Sequence, residues 1–504
     1  MDSEYDIIII GSGAGGGTLA HHLATNSDQR ILLLERGSYL RREKENWDSR
    51  EVFLNKRYDA DETWHDKDGR PFRPGIHYFV GGNTKVYGAA LMRMREKDFE
   101  EVTHVDGISP KWPISYKDLA PYYLKAEKMY HVHGKRGEDP FDPEESEPYP
   151  YPPVSHEPRI QKLFNDLQSI KKRPFHLPIG LKLDEDNPHK SPCIRCSSFD
   201  GFPCLVNAKA DAQVIAVDPA LESSQNLTLQ TNCFVEKLVT KGSNVTEVHV
   251  EGGKKYKAKI VVVSAGAINS AALLLRSQIQ ASCDVIGRHY MCHNNTALMA
   301  ISTTPNNTKF QKTIGLSDFY FGDDNYSYPM GFIQMLGKSD ETMLEGDAPK
   351  LTPKRMLGAM ADHSLDFWLT TEDLPDINNR VIIRQDGSIQ LNYTPNNQKS
   401  HGELIKRLKG MLNAIGCHTH LIPQNLYLRK TIPIGGVAHQ CGTIRFGDNP
   451  KTSALDVNCK FHTLDNLYVV DGSFFPSASS VNPALTIIAN AMRVGDHLLE
   501  RLKS

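Results

Sequence analysis

Three things this chain lacks narrow its role before any motif is found. It lacks a charge surplus: 58 Lys and Arg stand against 60 Asp and Glu, a net charge of −2, so no long-range field draws it to nucleic acid or to an anionic membrane. It lacks a long hydrophobic run. The first apolar stretch, Ile7 to Ile10, ends in glycines, far short of the ~18 residues of a spanning helix, and it follows acids rather than the basic segment of a secretory leader. It is also poor in cysteine, with nine scattered through 504 residues, which suits a reducing compartment and not a disulfide framework. The expectation is a cytoplasmic chain with no nucleic-acid partner and no membrane span. No internal repeat is evident. The remaining make-up, 39% hydrophobic and 23% charged, is that of a folded protein, and the length suits two or three packed units or one large interleaved one.

What is present begins at the N-terminus. Tyr5 to Ile10 is an apolar, β-branched run that reads as a parallel strand buried on both faces. Gly11-Ser12-Gly13-Ala14-Gly15-Gly16 follows, a G-x-G-x-x-G, then a helix-forming stretch through Thr18 to Ala24, a second apolar strand at Ile31 to Leu34, and Glu35 at its end. In this order Gly11 makes the tight turn, Gly13 lets the backbone approach a pyrophosphate, and Gly16 permits close helix packing. The helix N-terminus receives the phosphates, and Glu35 accepts a ribose 2′-hydroxyl. A carboxylate there argues against NADP and leaves NAD and FAD level.

Later segments return to such a cofactor. Lys259 to Ser264 reads as a strand ending at Gly266, with a helix over Ala267 to Ser277, and Leu467 to Val470 is a short strand that delivers Asp471-Gly472. A strand presenting Asp-Gly suits the extended FAD, although an ordinary turn explains the pair equally well.

These pieces, with VGGNTKVYGAALMRMR at Val80 to Arg95, VVVSAGAINSAALLLRS at Val261 to Ser277, HQCGTIRFG from His439 and LYVVDGSFFPSASSVNPALT ending at Thr486, resemble the glucose-methanol-choline flavin oxidoreductases, in particular the pyranose oxidase and glycoside 3-oxidase branch. The resemblance implies an α/β chain. A Rossmann-like FAD domain would be assembled from residues 1–110, 205–292 and 436–504, and a substrate domain with a mostly antiparallel sheet from 111–204 and 293–435. It implies His439 and Asn482 as the catalytic pair. It places Gly11, Gly13, Ala14, Gly16, Glu35, Gly81, Gly82, Asn83, Val235, Asp471, Gly472, Pro483 and Thr486 around FAD. Where pyranose oxidases carry a flavin-linked histidine this chain has Val86, so FAD is expected without a covalent bond. By the same analogy, Trp47 to Gly75 is a lid or an interface segment.

The chemistry fits those residue types. Oxidising an alcohol needs a base that is neutral near pH 7 and within reach of the hydroxyl proton, which is a histidine's task. Asn482-Pro483 precedes a helix expected over Ala484 to Leu502, with Asn482 as its cap and Pro483 at its first position. That places the helix's positive end, and Thr486, toward the flavin pyrimidine while Asn482 holds the substrate oxygen. Strands are expected at Leu365 to Thr370, Asn379 to Ile383 and Ile389 to Tyr393 in one substrate-domain sheet, with Trp368 and Tyr393 as weak sugar-stacking candidates. Gly137 to Pro158 holds seven prolines and reads as an extended loop.

Cys193-x-x-Cys196 with Cys204, and His131-x-His133, have metal-like spacing. The first set stands in a stretch resembling one in sugar-oxidising relatives, where a further cysteine is expected at Phe199. No metal is expected at either place. The functional expectation is oxidation of a secondary hydroxyl, at C2 or C3 of a sugar or glycoside, with oxygen or a quinone as electron acceptor. The alternatives are oxidation of a non-sugar alcohol and a non-redox FAD-containing lyase.

Overall fold

The computed structural model describes residues 4–143, 147–346, 348–349, 351–417, 430–431, 434–436 and 438–503. Its first sheet grows from the N-terminal run. Ile7, Ile8 and Ile9 are fully buried, each contributing about 1.5–3 kcal/mol of apolar burial. The strand Glu4–Ile10 lies between two parallel neighbours, Ile31–Leu34 and Lys255–Val263. Leu227–Gln230 extends the sheet parallel to Ile31–Leu34. Along its other edge the long strand Lys255–Val263 serves two partners: its first residues pair antiparallel with Asn244–Val250, which forms a hairpin with Val235–Lys241, and its last three pair parallel with Leu467–Val469. The carboxyl ends of the parallel strands therefore meet, although they come from both ends and the middle of the chain. The helices Ala14–Asn26 and Ala484–Lys503 pack against each other beside this sheet.

The second sheet has six strands, all antiparallel, in the order Lys430–Thr431, Asn294–Ile301, Ser364–Thr371, Phe332–Met335, Ile314–Leu316, Pro174–His176. The helices Pro158–Ser169 and Gln398–Ala414 bury their apolar stripes on it, with Leu163, Leu167, Leu404 and Leu408 meeting Leu298, Ile333 and Leu365. The result is an α/β protein with an antiparallel second sheet. Among the described residues no helix is long and apolar enough to cross a membrane.

One strand grouping differs from the sequence reading. Ser364–Thr371 lies in the six-stranded sheet, but Arg380–Ile383 and Ile389–Asn392 form a hairpin in a separate sheet with Trp64–Asp66 and Pro71–Phe72. Alternation identifies a strand without naming its partner, and here the partners lie more than 300 positions away. The proline-rich stretch is irregular where it is described, up to the helix that starts at Pro158.

Candidate active site

A cavity of about 1470 Å³ opens between the two sheets, larger than the few hundred to ~1,000 Å³ usual for a single small ligand. Its lining includes Gly11, Gly13 and Ala14 from the first turn, Glu35, Gly82, Asn83 and Val235, and also Asp471, Gly472, His439, Asn482 and Pro483. The six-stranded sheet contributes Gln334 and Trp368, and the segment before it contributes Lys312. Much of the stretch 47–75 walls the cavity through Val52, Phe53, Tyr58 and Phe72.

The turn after the first strand is built around close approach. Gly11 has φ +102°, and a Cβ there would lie 2.3 Å from the Ser264 carbonyl oxygen. A Cβ on Gly13, by contrast, would meet nothing within 4 Å. The helix Ala14–Asn26 has neither an acid in its first turn nor a side-chain cap, so its leading amides and positive end face the cavity unneutralised. Glu35 is buried, which raises its pKa, and it accepts from Ser12 N (3.1 Å), Ser12 Oγ (2.5 Å) and Gly37 N (2.9 Å). Asp471 is also pushed up by burial; it accepts from Gly266 N at 3.0 Å and Ser473 N at 2.9 Å, and from the hydroxyls of Ser270 and Ser473.

Three of the expected cofactor residues do not line the cavity. Gly16 packs inward, where a Cβ would fall 1.9 Å from the Gly11 carbonyl oxygen. Gly81 turns the chain at φ +95° and gives its N–H to Ser12 Oγ at 3.1 Å. Thr486 is fully buried, and its hydroxyl is 2.7 Å from Tyr123 OH in the neighbouring helix Tyr116–Met129. Its place is a helix–helix contact, because the first turn of the last helix points that side chain away from the cavity. Tyr393 is likewise committed to packing: it meets Tyr290 edge-on and donates to Asp373 at 3.0 Å, while Trp368 does line the cavity.

The histidine and asparagine meet from segments 43 positions apart. Asn482 Nδ2 lies 3.1 Å from His439 Nε2, and Gln334 Nε2 donates to Asn482 Oδ1 at 3.1 Å. Asn482 is not the helix cap expected of it. Its amide is spent on His439 and Gln334, and Ile487 N bonds Pro483 O, so Pro483 takes the cap position of a helix that begins, as expected, at Ala484.

On its other side, His439 Nδ1 is 3.0 Å from His293 Nδ1. Burial holds the pKa of His439 well below the ordinary histidine value, helped by His293 and by the Lys312 cation, which is paired with Asp200. The imidazole is therefore neutral at pH 7, as a general base must be. Sequence reasoning missed His293, Gln334 and the Lys312–Asp200 pair, since no local motif marks them.

The metal-like spacings resolve differently. His131 stacks on Tyr151, and both ring nitrogens of His133 lie against backbone carbonyls of Pro152 and Leu181. The thiols of Cys193, Cys196 and Cys204 are free, and burial pushes that of Cys193 up to about 11. Among the described residues no group of three or more His, Cys, Asp or Glu is placed to hold a metal.

Comparison with known proteins finds relatives of the chain. Two family models, both described as GMC oxidoreductase, match residues 178–295 and 424–491. A 6‴-hydroxyparomomycin C oxidase of Streptomyces lividus is 29% identical over 99% of this chain and 92% of its own length. A paromamine 6′-oxidase of Streptomyces fradiae is 28% identical over 98% and 91%. Among solved structures, a formate oxidase of Aspergillus oryzae, studied for its FAD modification, superposes with a TM-score of 0.68 at 15% identity, covering all of this chain and 99% of its own. That last likeness is one of fold.

Proposed function

The chain belongs to the GMC oxidoreductases, enzymes acting on CH–OH groups, and from that premise we propose that it oxidises a hydroxyl of a sugar or glycoside to the carbonyl with FAD as cofactor. The observation that carries the reading is the neutral His439 Nε2 set 3.1 Å from the Asn482 amide in one cavity with a dinucleotide turn. The residues present suit FAD. The open space over Gly13 and the uncapped helix start accommodate a pyrophosphate. The Glu35 carboxylate is placed for a ribose hydroxyl, and Val86 offers no nucleophile, so the cofactor is held without a covalent bond there. When bound, FAD supplies the hydride acceptor.

The chain's own part is the proton and the oxygen. The substrate hydroxyl donates to His439 Nε2, and Asn482 Nδ2 donates to the oxygen as charge builds on it. Burial keeps the base unprotonated until that moment. The hydroxyl proposed is a secondary one, at C2 or C3. The names of the two Streptomyces relatives, one printed with 6‴ and the other with 6′, favour a second reading, oxidation at a 6-position of an aminoglycoside-like substrate. Oxygen or a quinone completes the cycle.

Anaerobic absorbance of the purified flavoprotein, challenged with glucose, methyl glycosides, paromamine and simple alcohols, tests this directly. Bleaching by a sugar is expected; carbon NMR of the product then separates a ketone from an aldehyde, and readmitted air separates oxidase from dehydrogenase. His439→Ala should keep its yellow colour and lose bleaching by about 10²–10⁴-fold. Substrate cleavage with the flavin staying oxidised would overturn the reading in favour of a lyase.

A further inference from the structure

The contact between His439 and His293 joins two identical atoms. Both are Nδ1, 3.0 Å apart, so one proton at most lies between them and one ring must accept. The far side of His293 decides which. His293 Nε2 is 3.2 Å from the Ala478 carbonyl oxygen, which has no hydrogen to give, so Nε2 must carry the proton. His293 is buried and held neutral by that burial, which leaves its Nδ1 as a bare lone pair. The proton between the rings therefore belongs to His439 Nδ1. His439, neutral in turn, has its lone pair on Nε2, facing Asn482 and the cavity. The opposite assignment would set the His293 Nε2 lone pair against a carbonyl and turn a proton of His439 toward the Asn482 amide hydrogens.

The backbone around this chain is pinned by two consecutive acids at the end of Ser364–Thr371. Glu372 accepts from Ala478 N at 3.0 Å and Ser479 N at 2.9 Å, fixing the carbonyl that His293 meets. Asp373 accepts from His293 N at 2.9 Å.

We propose that His293 is a positioning residue which, by accepting from His439 Nδ1, locks the base in the tautomer whose free lone pair faces the substrate hydroxyl. The proton balance is simple: the hydroxyl proton enters at His439 Nε2, giving an imidazolium that keeps donating from Nδ1 to His293. The charged groups around the two rings are Lys312 on the side of His439, and Asp373 and Glu372 on that of His293.

This inference rests on the function proposed above for its kinetic test but not for its spectroscopic one. Nitrogen-15 NMR of the oxidised holoenzyme with labelled histidine, assigned with His439→Ala, reports the tautomer of the unaltered protein. A protonated Nδ1 and a bare Nε2 on His439 are expected; the reverse overturns the proposal even if no substrate is found, and whether any alcohol reduces the flavin is judged separately. In kinetics, His293→Leu removes the acceptor and should lower kcat by about 10²–10⁴-fold, the scale of general-base catalysis, with KM within about threefold and flavin content unchanged. His293→Asn restores an acceptor oxygen near the Nδ1 position and should recover most of that rate. Equal losses in the Leu and Asn variants, or a Leu variant within about fivefold of the parent, would overturn the positioning role.

Discussion

Replacing Asn482 by Asp keeps size and shape and changes one thing, the group that faces the base. In the parent, Asn482 Nδ2 lies 3.1 Å from His439 Nε2, and burial, His293 and Lys312 together depress the His439 pKa. A carboxylate at that distance attracts an imidazolium by about 5 kcal/mol at an effective dielectric of ~20. Both residues are partly buried at the cavity wall, and screening from the cavity side reduces this toward the ~1–3 pKa units that close opposite charges usually produce. The sign follows directly. The base must be neutral to work, its pKa rises, and the acid limb of activity moves up by about 1–3 pH units. Asp also offers no donor to the substrate oxygen, and losing such a donor costs about 10²–10³ in rate, so the loss persists on the alkaline plateau. Anaerobic stopped-flow reduction of the bound flavin from pH 5 to 9 measures both effects. An acid limb that stays in place, with a plateau within about fivefold of the parent, would refute the placement of Asn482 beside the base.

Three further outcomes follow from the same structure. Gly13→Ala should melt like the parent yet lose flavin, because its Cβ projects into open cavity, whereas Gly15→Ala should lower the melting temperature, because its Cβ would lie 1.9 Å from the Val470 carbonyl oxygen; thermal melts with flavin release read both. Glu127 is fully buried and takes two bonds from Arg93, at 2.7 and 2.6 Å, and one from Arg136 at 3.0 Å, so Glu127→Ala leaves the buried Arg93 guanidinium without its carboxylate, while Arg136 keeps Asp142, and should cost about 3–5 kcal/mol in denaturant unfolding. Elemental analysis of the purified protein should find iron and zinc well below one atom per chain, since three free thiols without a fourth ligand make no closed site.

The parallel strands at the centre of the first sheet were legible because their signals are local, while Leu227–Gln230 and the hairpin Val235–Lys241 with Asn244–Val250 were not read. Ile7 to Ile10 is apolar on both faces, as only a strand covered on both sides can be, and the glycines that follow are required by contacts within a few ångström of Ser264 and Gly11 itself. The last helix announces itself by its apolar spacing, from Leu485 to Leu498. What was not legible depends on partners far away in sequence. Alternation over residues 365–393 marks strands, but nothing local tells Arg380–Ile383 to leave Ser364–Thr371 and join Trp64–Asp66. Thr486 sits one turn from Asn482 and was grouped with it, yet the helix rotation gives its hydroxyl to Tyr123. Asn-Pro before a helix describes a cap, and only the presence of His439 and Gln334 on either side of the amide shows that the side chain is used otherwise.

The same distance explains why His293 and Gln334 escaped notice, and why the site they complete is well held. His293 stands next to Met291 and Cys292, and Met291 exchanges both backbone hydrogen bonds with Cys441, at 3.0 and 2.9 Å, two residues beyond His439. Gly442 N then bonds Gly472 O at 3.1 Å, and Ile444 N bonds Ser473 O at 2.9 Å, which sets the Asp471-Gly472 turn beside the same ladder. Backbone pairing thus carries His293, His439 and Asp471 on three adjacent stretches of chain, while Glu372 fastens the segment leading to Asn482. Such a ladder fixes side-chain origins more firmly than surface loops do. A shift of one residue in the Met291–Cys441 register would turn one of the two rings to the opposite side and break their contact. The proposed chemistry would therefore depend less on the motif around His439 than on the pairing that brings a second imidazole to its back.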